Sequence, residues 1–193
     1  MTNPIRAIVM LGPPGCGKGT QTRALGALPG WMRHSAGEAL RRRASSSETT
    51  GAGADYAKAG ELAPCRIVID ALQRDIRHAV SQGRFDPAAG VLLLDGLPRS
   101  TEQARQLDGV VRVQRVVHLE CRDRAVLINR LTRRGREDDR DPDTVERRFS
   151  VYEEKTKAVL RYYPQEAVGR VDAEQAPHRV LGDITESLRD IEF

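Results

Sequence analysis

The amino-acid sequence predicts an α/β fold in which a parallel sheet is flanked by helices. Two observations predict it: apolar, β-branched runs that have the length of buried strands, and helical patterns that lie between them along the chain. Strands that alternate with helices form a parallel sheet whose two faces are covered. With 193 residues, 39% of them hydrophobic and 30% charged, the chain can bury the core that this fold needs without a disulfide or a metal.

The individual elements follow from these patterns in chain order. Apolar runs predict strands over residues 7–11, 91–94, 115–119 and 170–172. Helical spacing of apolar residues predicts helices over residues 18–28, 64–82, 100–107, 123–134 and 179–191, and one longer helix with Val145, Phe149, Tyr152, Val159 and Tyr163 on one face. Two segments interrupt the alternation: residues 44–54 are rich in Ser, Thr, Gly and Ala, and residues 135–143 are almost all charged. We expect both to be mobile segments over a site.

Composition narrows the classes of ligand and compartment. The net charge is +4, and arginine, which supplies most of the positive charge, makes forked contacts with phosphate oxygens. The basic character therefore suits a nucleotide or a nucleic acid. Cys16, Cys65 and Cys121 form no CxxC pair, which favours a reducing compartment over a zinc or disulfide framework. The apolar run at residues 7–11 is too short to span a membrane, so we expect a soluble cytoplasmic protein. We also expect a monomer, because the sequence shows no further apolar stripe that a partner subunit would cover.

A glycine-rich segment, residues 12–20 (GPPGCGKGT), lies between the first predicted strand and the first predicted helix. Glycine backbone N–H groups in this position can surround phosphate oxygens, and the helix N-terminus adds partial positive charge. Lys18 would reach the β- and γ-phosphates of a nucleotide, and the Thr20 hydroxyl would face Mg²⁺. The general phosphate-loop pattern has Ser or Thr directly after the lysine, whereas Gly19 intervenes here. A turn that is merely glycine-rich is the alternative, but nine matching positions favour the phosphate loop.

This form of the loop, GxPGxGKGT, resembles that of the adenylate kinase and UMP/CMP kinase family. Other segments are similar to further family motifs, in the family's order: SAGEALR at residues 35–41, GELAP at 60–64, DGLPR at 95–99 followed by Gln103, and an arginine-rich stretch from Arg130 through GREDD at 135–139 to Arg148 and Tyr152. The resemblance covers nearly the whole chain.

The resemblance implies a P-loop kinase fold and its cofactor. One domain would span residues 1–193, with an inserted monophosphate-binding segment at residues 35–64 and a short lid at residues 134–143. Some long-lid members of the family carry four cysteines and zinc in the lid, for which this chain has no room. Mg²⁺ bound with ATP is therefore the expected cofactor, without zinc.

The resemblance also implies a role for each matching residue. ATP would be bound by Gly15, Cys16, Gly17, Lys18, Gly19, Thr20, Arg130, Arg134 and Gln175. The acceptor monophosphate would be bound by Ala36, Arg41, Glu61, Leu62, Ala63, Gly96, Leu97, Pro98, Arg99, Gln103, Arg136 and Arg148. The catalytic residues would be Lys18, Arg99, Arg134, Arg136 and Arg148, because phosphoryl transfer requires in-line alignment and positive charge around the moving group. Thr20 and Asp95 would hold Mg²⁺, Asp95 through bound water, and Asp138 and Asp139 would help to hold the lid closed.

Residue chemistry independently supports an anion near Arg130 and Arg134. The two lie four residues apart on one predicted helix, where like charges repel by a few tenths of a kcal/mol (roughly 0.2–0.5). Bound phosphate would explain this arrangement. The alternative is a solvated helix end neutralised by the acidic residues of the 135–143 segment, and the nearby glycine loop favours phosphate.

Two residues of the sequence point to different acceptor monophosphates. Gln103 stands where adenylate kinases have glutamine, whose amide can both donate to and accept from adenine. Ala36 stands where adenylate kinases usually have threonine, and alanine at this position resembles the form of the segment in UMP/CMP kinases. Losing that hydroxyl removes one hydrogen bond, on the order of 1 kcal/mol, whereas an unpaired buried amide penalises the wrong base more strongly. We therefore favour AMP, with CMP or UMP as the alternative, and note that Ala63 leaves additional room beside the base.

Three functions of other classes remain open at this level. The pI of about 9.2 would suit a nucleic-acid-binding module, although no aromatic-rich RNA-binding strand is visible. The glycine loop would also suit a P-loop kinase for a small molecule other than a nucleotide, which residues 96–99 and Gln103 argue against. A nucleotide-binding protein without catalysis would need damage to charged positions that the sequence retains. We expect ATP and a nucleoside monophosphate as partners, and neither nucleic acid nor membrane.

Overall fold

The sheet contains five parallel strands in the order β2-β3-β1-β4-β5, as seen in a computed structural model that describes residues 4–45, 55–56 and 59–191. The strands are β1 (Ile5–Leu11), β2 (Trp31–Ser35), β3 (Val91–Asp95), β4 (Val111–Glu120) and β5 (Val168–Asp172). The helices are α1 (Lys18–Leu25), α2 (Ala36–Ser45), α3 (Cys65–Ser81), α4 (Thr101–Asp108), α5 (Arg124–Arg134), α6 (Pro142–Val151) and α7 (Pro177–Ser187). The predicted α/β fold is confirmed.

The central strand β1 divides the core into two layers. Ala7, Val9 and Leu11 pack into one cluster of buried side chains, while Ile8 and Met10 pack into the other. This alternation is expected because successive side chains of a strand point to opposite faces. Both faces of β1 are therefore buried, which explains why its sequence is a continuous apolar run.

The structure corrects two sequence predictions. The edge strand β2 was not predicted, because its apolar content is broken by Arg33 and His34; within the described part of the chain it pairs with β3 alone. The predicted long helix is also interrupted: α6 ends at Val151 and continues as a single π-helical turn, Tyr152–Thr156, and a 3₁₀ turn, Lys157–Arg161. The helical register shifts at the π-helical turn, although the apolar residues of the predicted long helix remain mostly buried.

The two polar segments differ in what the structure describes. Ala44 and Ser45 close α2, whereas residues 46–54 of the segment predicted to be mobile lie outside the described residues. The charged segment includes a short 3₁₀ turn, Glu137–Asp139, and the beginning of α6. Among the helices that are described, none is long and apolar enough to cross a membrane.

Parallel pairing brings the carboxyl ends of the strands to one edge of the sheet. The glycine loop follows β1, Ser35 ends β2 and Asp95 ends β3, and in the register these last two residues are partners. Ligands of open α/β sheets bind at this edge, where neighbouring strands send their loops to opposite sides. The fold thus gathers three chain-distant segments at one place.

We predict that Leu92→Ala lowers the free energy of unfolding by about 2–5 kcal/mol, since it leaves a cavity beside β1 in the fully buried strand β3. Urea unfolding followed by circular dichroism measures the change. Leu28→Ala is the matched control, because the Leu28 side chain is exposed, and it should change stability by less than about 0.5 kcal/mol. Equal losses in the two variants would contradict the assignment of β3 to the core.

Candidate functional site

A cavity of about 730 Å³ opens at the carboxyl edge of the sheet. Its volume lies within the range of roughly 300–1,000 Å³ that is typical of small-ligand sites. Of the predicted ligand-binding residues, those that line it are Gly15, Cys16, Gly17, Lys18, Gly19, Thr20, Ala36, Arg41, Glu61, Leu62, Ala63, Asp95, Gly96, Arg99, Gln103, Arg130, Arg134, Arg136, Arg148 and Gln175. Leu97 and Pro98 do not line it: both are buried, and Leu97 packs in the core.

The glycine loop forms the wall of the cavity between β1 and α1. Gly15 has a φ of +84°, and a Cβ there would approach the backbone oxygen of Leu127 to 2.5 Å, so a side chain cannot be accommodated. The Lys18 ammonium donates to the backbone oxygens of Gly12 at 2.7 Å and Pro13 at 2.9 Å. The lysine is therefore held over the loop, next to the N-terminus of α1, where an anion is favoured.

Arginine side chains from four parts of the chain converge on the other walls. Arg41 lies on α2, Arg99 follows β3, Arg134 ends α5, and Arg148 lies on α6. Burial, together with the neighbouring charge of Arg148, lowers the pKa of the Arg99 guanidinium to about 10, which leaves it charged at neutral pH. Burial and the charges of Arg134 and Arg41 lower the pKa of Arg136 as well. Such mutual repulsion is typical of a site built to receive an anion.

Two aspartates in the charged segment offset part of this repulsion. The Asp139 carboxylate, almost fully buried, accepts hydrogen bonds from Arg134 at 2.6 and 2.7 Å and from Arg148 at 2.7 Å. Burial raises the pKa of the Asp139 carboxyl, but these hydrogen bonds outweigh burial and bring the pKa below its ordinary value. Asp138 lies 3.4 Å from Arg148 and 3.8 Å from Arg41. The aspartates therefore connect the charged segment to α5, α6 and α2.

The two predicted inserted segments contact each other across the cavity. Besides the Arg41–Asp138 pair, Arg136 lies 3.9 Å from Glu38. Arg147 of α6 donates to the backbone oxygen of Ala59 at 3.3 Å. Two ion pairs therefore bridge the cavity, and their arginines, Arg41 and Arg136, also line the space where a ligand would bind.

Gln103 lies at the wall with its amide in a defined orientation. Its side chain is buried, and Oε1 accepts the backbone N–H of Arg99 at 2.7 Å. Ser100 caps α4 by accepting the backbone N–H of Gln103 at 3.2 Å, which fixes where the side chain begins. Within the described residues the NH₂ group donates no hydrogen bond, so both of its N–H donors are available to a ligand, while Oε1 already accepts one hydrogen bond.

A charged network beneath the loop was missed by the sequence analysis. Arg33 of β2 contacts Asp95 at 2.8 Å and Glu38 at 2.8 and 3.0 Å, and donates to the Thr22 hydroxyl at 2.9 Å. The hydrogen bond from Arg33 lowers the pKa of Glu38 to about 2. Burial acts in the opposite direction, and the positive charge of Arg33 adds to the lowering. Recognising β2 would have revealed this network, since alternation places Arg33 on the same strand face as Ser35 of the SAGEALR motif.

His118 and Tyr152 are also paired, although the sequence indicated only packing for tyrosine. His118 is buried on β4, and its Nε2 lies 2.8 Å from the hydroxyl of Tyr152, which lines the cavity. Burial lowers the pKa of His118. Burial thus disfavours the charged form of the imidazole, which is a hydrogen-bonding partner of Tyr152.

Comparison with known proteins gives consistent matches over most of the chain. A family model described as "Adenylate kinase" matches residues 10–168. The adenylate kinase of Maricaulis maris is 33% identical, with 95% of this chain and 98% of that protein covered. The adenylate kinase of Mycolicibacterium vanbaalenii is 37% identical, with 86% and 92% covered. That of Prochlorococcus marinus is 34% identical, with 94% and 97% covered.

We predict that Glu38→Gln lowers the free energy of unfolding at neutral pH, because the folded state keeps this carboxylate ionised down to about pH 2 against an ordinary pKa of 4.5. The stabilisation is present above the ordinary pKa and is lost as the pH falls from there towards the folded-state pKa. The difference between the wild type and Glu38→Gln should therefore shrink below about pH 4.5 in urea unfolding measured across pH.

Glu153→Gln is the control for this prediction. Glu153 forms an exposed ion pair with Lys157, so its replacement should change stability little across the same pH range. A difference for Glu38→Gln that stays constant down to about pH 3 would show that the carboxylate charge contributes nothing.

Proposed function

The chain belongs to the adenylate kinase family and is a nucleoside monophosphate kinase, and on this premise we propose that AMP is its acceptor and MgATP its phosphoryl donor. The observation that carries the choice of AMP is the orientation of the Gln103 amide. The names of the relatives, all adenylate kinases, support the same choice.

The amide orientation discriminates among bases by hydrogen-bond type. Adenine and cytosine present an unprotonated ring nitrogen beside their amino group, whereas guanine and uracil present a ring N–H beside a carbonyl. The NH₂ of Gln103 can donate to the ring nitrogen of adenine or cytosine. In guanine or uracil it would face a ring N–H, which is also a donor. A donor left unpaired in a buried site costs about 1–3 kcal/mol, which corresponds to roughly a 5- to 150-fold discrimination. UMP and GMP are therefore disfavoured.

The size of the neighbouring side chains favours a purine over cytosine. Ala36 and Ala63 line the cavity together with Gln103, and both are small. A pyrimidine would leave part of this space unfilled, and atoms that border an empty space forfeit the van der Waals attraction that a larger base would supply. CMP remains the second candidate, because Ala36 offers the acceptor no hydroxyl.

The phosphates would be divided between the two ends of the cavity. The glycine loop and Lys18 would bind the donor phosphates, with Arg130 and Gln175 on the side of the ATP base. Arg41 and Arg99 would bind the acceptor phosphate. Arg134, Arg136 and Arg148 would then surround the transferred group, where they stabilise charge and keep donor and acceptor in line. On this proposal, phosphate oxygens replace the Glu38 and Asp138 carboxylates as partners of these arginines.

Thr20 and Asp95 are the residues that would hold Mg²⁺. Both line the cavity and both offer oxygen atoms, which this ion prefers. The ion would neutralise charge on the nucleotide phosphates. Asp95 would accept hydrogen bonds from the water molecules around it, and Thr20 would offer its hydroxyl beside the loop.

Closure and cellular context complete the proposal. Residues 35–64 and 134–143 would act as an acceptor-binding segment and a lid that exclude water, which would otherwise accept the phosphoryl group. The ion pairs between these segments support this movement. Cys16, Cys65 and Cys121 are free thiols, which suits a protein of the reducing cytoplasm, and we propose that the enzyme is a monomer.

We predict that the protein transfers phosphate from MgATP to AMP and dAMP at least about tenfold faster than to CMP, and more slowly still to UMP and GMP, at equal concentrations. Coupled measurement of ADP formation tests this. Lys18→Ala should abolish most activity with every acceptor, and it serves as the check that the glycine loop is responsible. A preference for CMP or UMP would show that Ala36, rather than Gln103, selects the base.

We further predict that Gln103→Glu shifts the base preference towards guanine and uracil. The substitution retains an oxygen for the Arg99 N–H but replaces the NH₂ donor with an acceptor, which suits the ring N–H of guanine and uracil. The ratio of kcat/KM for AMP to that for GMP or UMP should fall by about tenfold or more. Gln106→Glu, on the exposed face of the same helix, adds the same charge and should leave the ratio unchanged. An unchanged ratio in Gln103→Glu would remove Gln103 from base recognition.

A further inference from the structure

The Arg33 guanidinium connects three elements beneath the glycine loop. Its Nε donates to the Thr22 hydroxyl of α1 at 2.9 Å, and Nη1 and Nη2 bind both oxygens of Glu38 at the beginning of α2. Nη2 also donates to Oδ2 of Asp95, at the end of β3, at 2.8 Å. Only 15% of the Arg33 side chain is exposed, so these contacts are largely shielded from solvent.

The network is well specified at each atom. The Thr22 hydroxyl, which accepts from Arg33, in turn donates to Oδ2 of Asp95 at 3.3 Å. Within the described part of the chain, both hydrogen bonds to the Asp95 carboxylate are accepted by Oδ2, so Oδ1 is left for the cavity that Asp95 lines.

Arg33 also keeps two negative charges close together. The Glu38 and Asp95 oxygens each lie within 3.0 Å of Nη2, so they are at most about 6 Å apart. Arg23 approaches Glu38 at 3.2 Å from an exposed position, but among the described residues Arg33 is the one cation in ion-pair contact with Asp95. Without Arg33, two carboxylates and the Thr22 hydroxyl would face one another, and such a cluster of oxygens attracts a divalent cation.

We propose that Arg33 is a positioning residue that holds the Asp95 carboxylate for the hydrated Mg²⁺ of the nucleotide and prevents the ion from binding this carboxylate directly when no nucleotide is present. The inference rests on the proposed role of Asp95. The guanidinium binds Oδ2 of Asp95, so Oδ1 is the oxygen that would face the water molecules around Mg²⁺. Its positive charge compensates the Asp95 and Glu38 carboxylates, so these two groups do not bind a cation by themselves. The fork of arginine is required, because Arg33 makes four contacts from three nitrogens in one plane, whereas a lysine ammonium has three donors on a single atom.

The first test measures Mg²⁺ binding without nucleotide, by thermal unfolding of the full chain in increasing MgCl₂ at constant ionic strength. The wild type should shift by less than about 1 °C, whereas Arg33→Gln should be stabilised by about 3–6 °C at a Mg²⁺ concentration tenfold above Kd. Arg42→Gln is the matched control, since it breaks an arginine–aspartate pair with Asp75 outside the cavity, and it should behave like the wild type. Absence of Mg²⁺ stabilisation in Arg33→Gln, or an equal response in Arg42→Gln, overturns the proposal.

The second test separates charge from geometry with Arg33→Lys. This variant retains the positive charge and should show no Mg²⁺ stabilisation without nucleotide, but its kcat should fall by about 10- to 100-fold while KM for AMP changes less than about threefold. Wild-type kcat in Arg33→Lys overturns the positioning role, and this remains decisive if Arg33→Gln fails to fold. If the wild type lacks AMP kinase activity, the proposed function fails, while the nucleotide-free Mg²⁺ titration still tests Arg33 by itself.

Discussion

Repulsion among arginine side chains around one cavity is the constraint on which the arrangement of the site depends. Burial and the charge of Arg148 lower the pKa of Arg99, and burial and the charges of Arg134 and Arg41 lower the pKa of Arg136. Positive charges can be kept together in a partly buried site only if acids or a bound anion compensate them. The structure supplies acids from two directions, and the proposed reaction supplies the anion.

The two groups of acids have different consequences. Asp139 is almost fully buried and binds Arg134 and Arg148 tightly, so it orders the charged segment against α5 and α6. Glu38 is shared between Arg33 of the sheet and Arg136 across the cavity, with the second contact much looser at 3.9 Å. A phosphate can therefore displace Glu38 from Arg136 at small cost while Arg33 keeps Glu38 in place. In the proposed function, ligand binding and closure are linked through this exchange of partners.

The site was predictable from sequence where local motifs carry the chemistry. The glycine loop, Asp95 and Gln103 line one cavity as expected, because parallel strands bring their carboxyl ends to one edge. Leu97 does not line it, since a motif indicates which residues occur together but not which way each side chain points. Arg33 was missed because a five-residue edge strand with three charged or polar residues has no distinctive hydrophobic pattern.

The sequence by itself determined the fold class and the family, because buried parallel strands must be apolar and a phosphate-binding loop must be rich in glycine. It also predicted which arginines would bind phosphate. Only the tertiary structure decided which carboxylates compensate them, since Arg33, Glu38 and Asp95 lie on three different elements and meet through strand pairing. It likewise decided the orientation of the Gln103 amide, because that orientation depends on a backbone N–H of Arg99 whose position is set by the turn after β3.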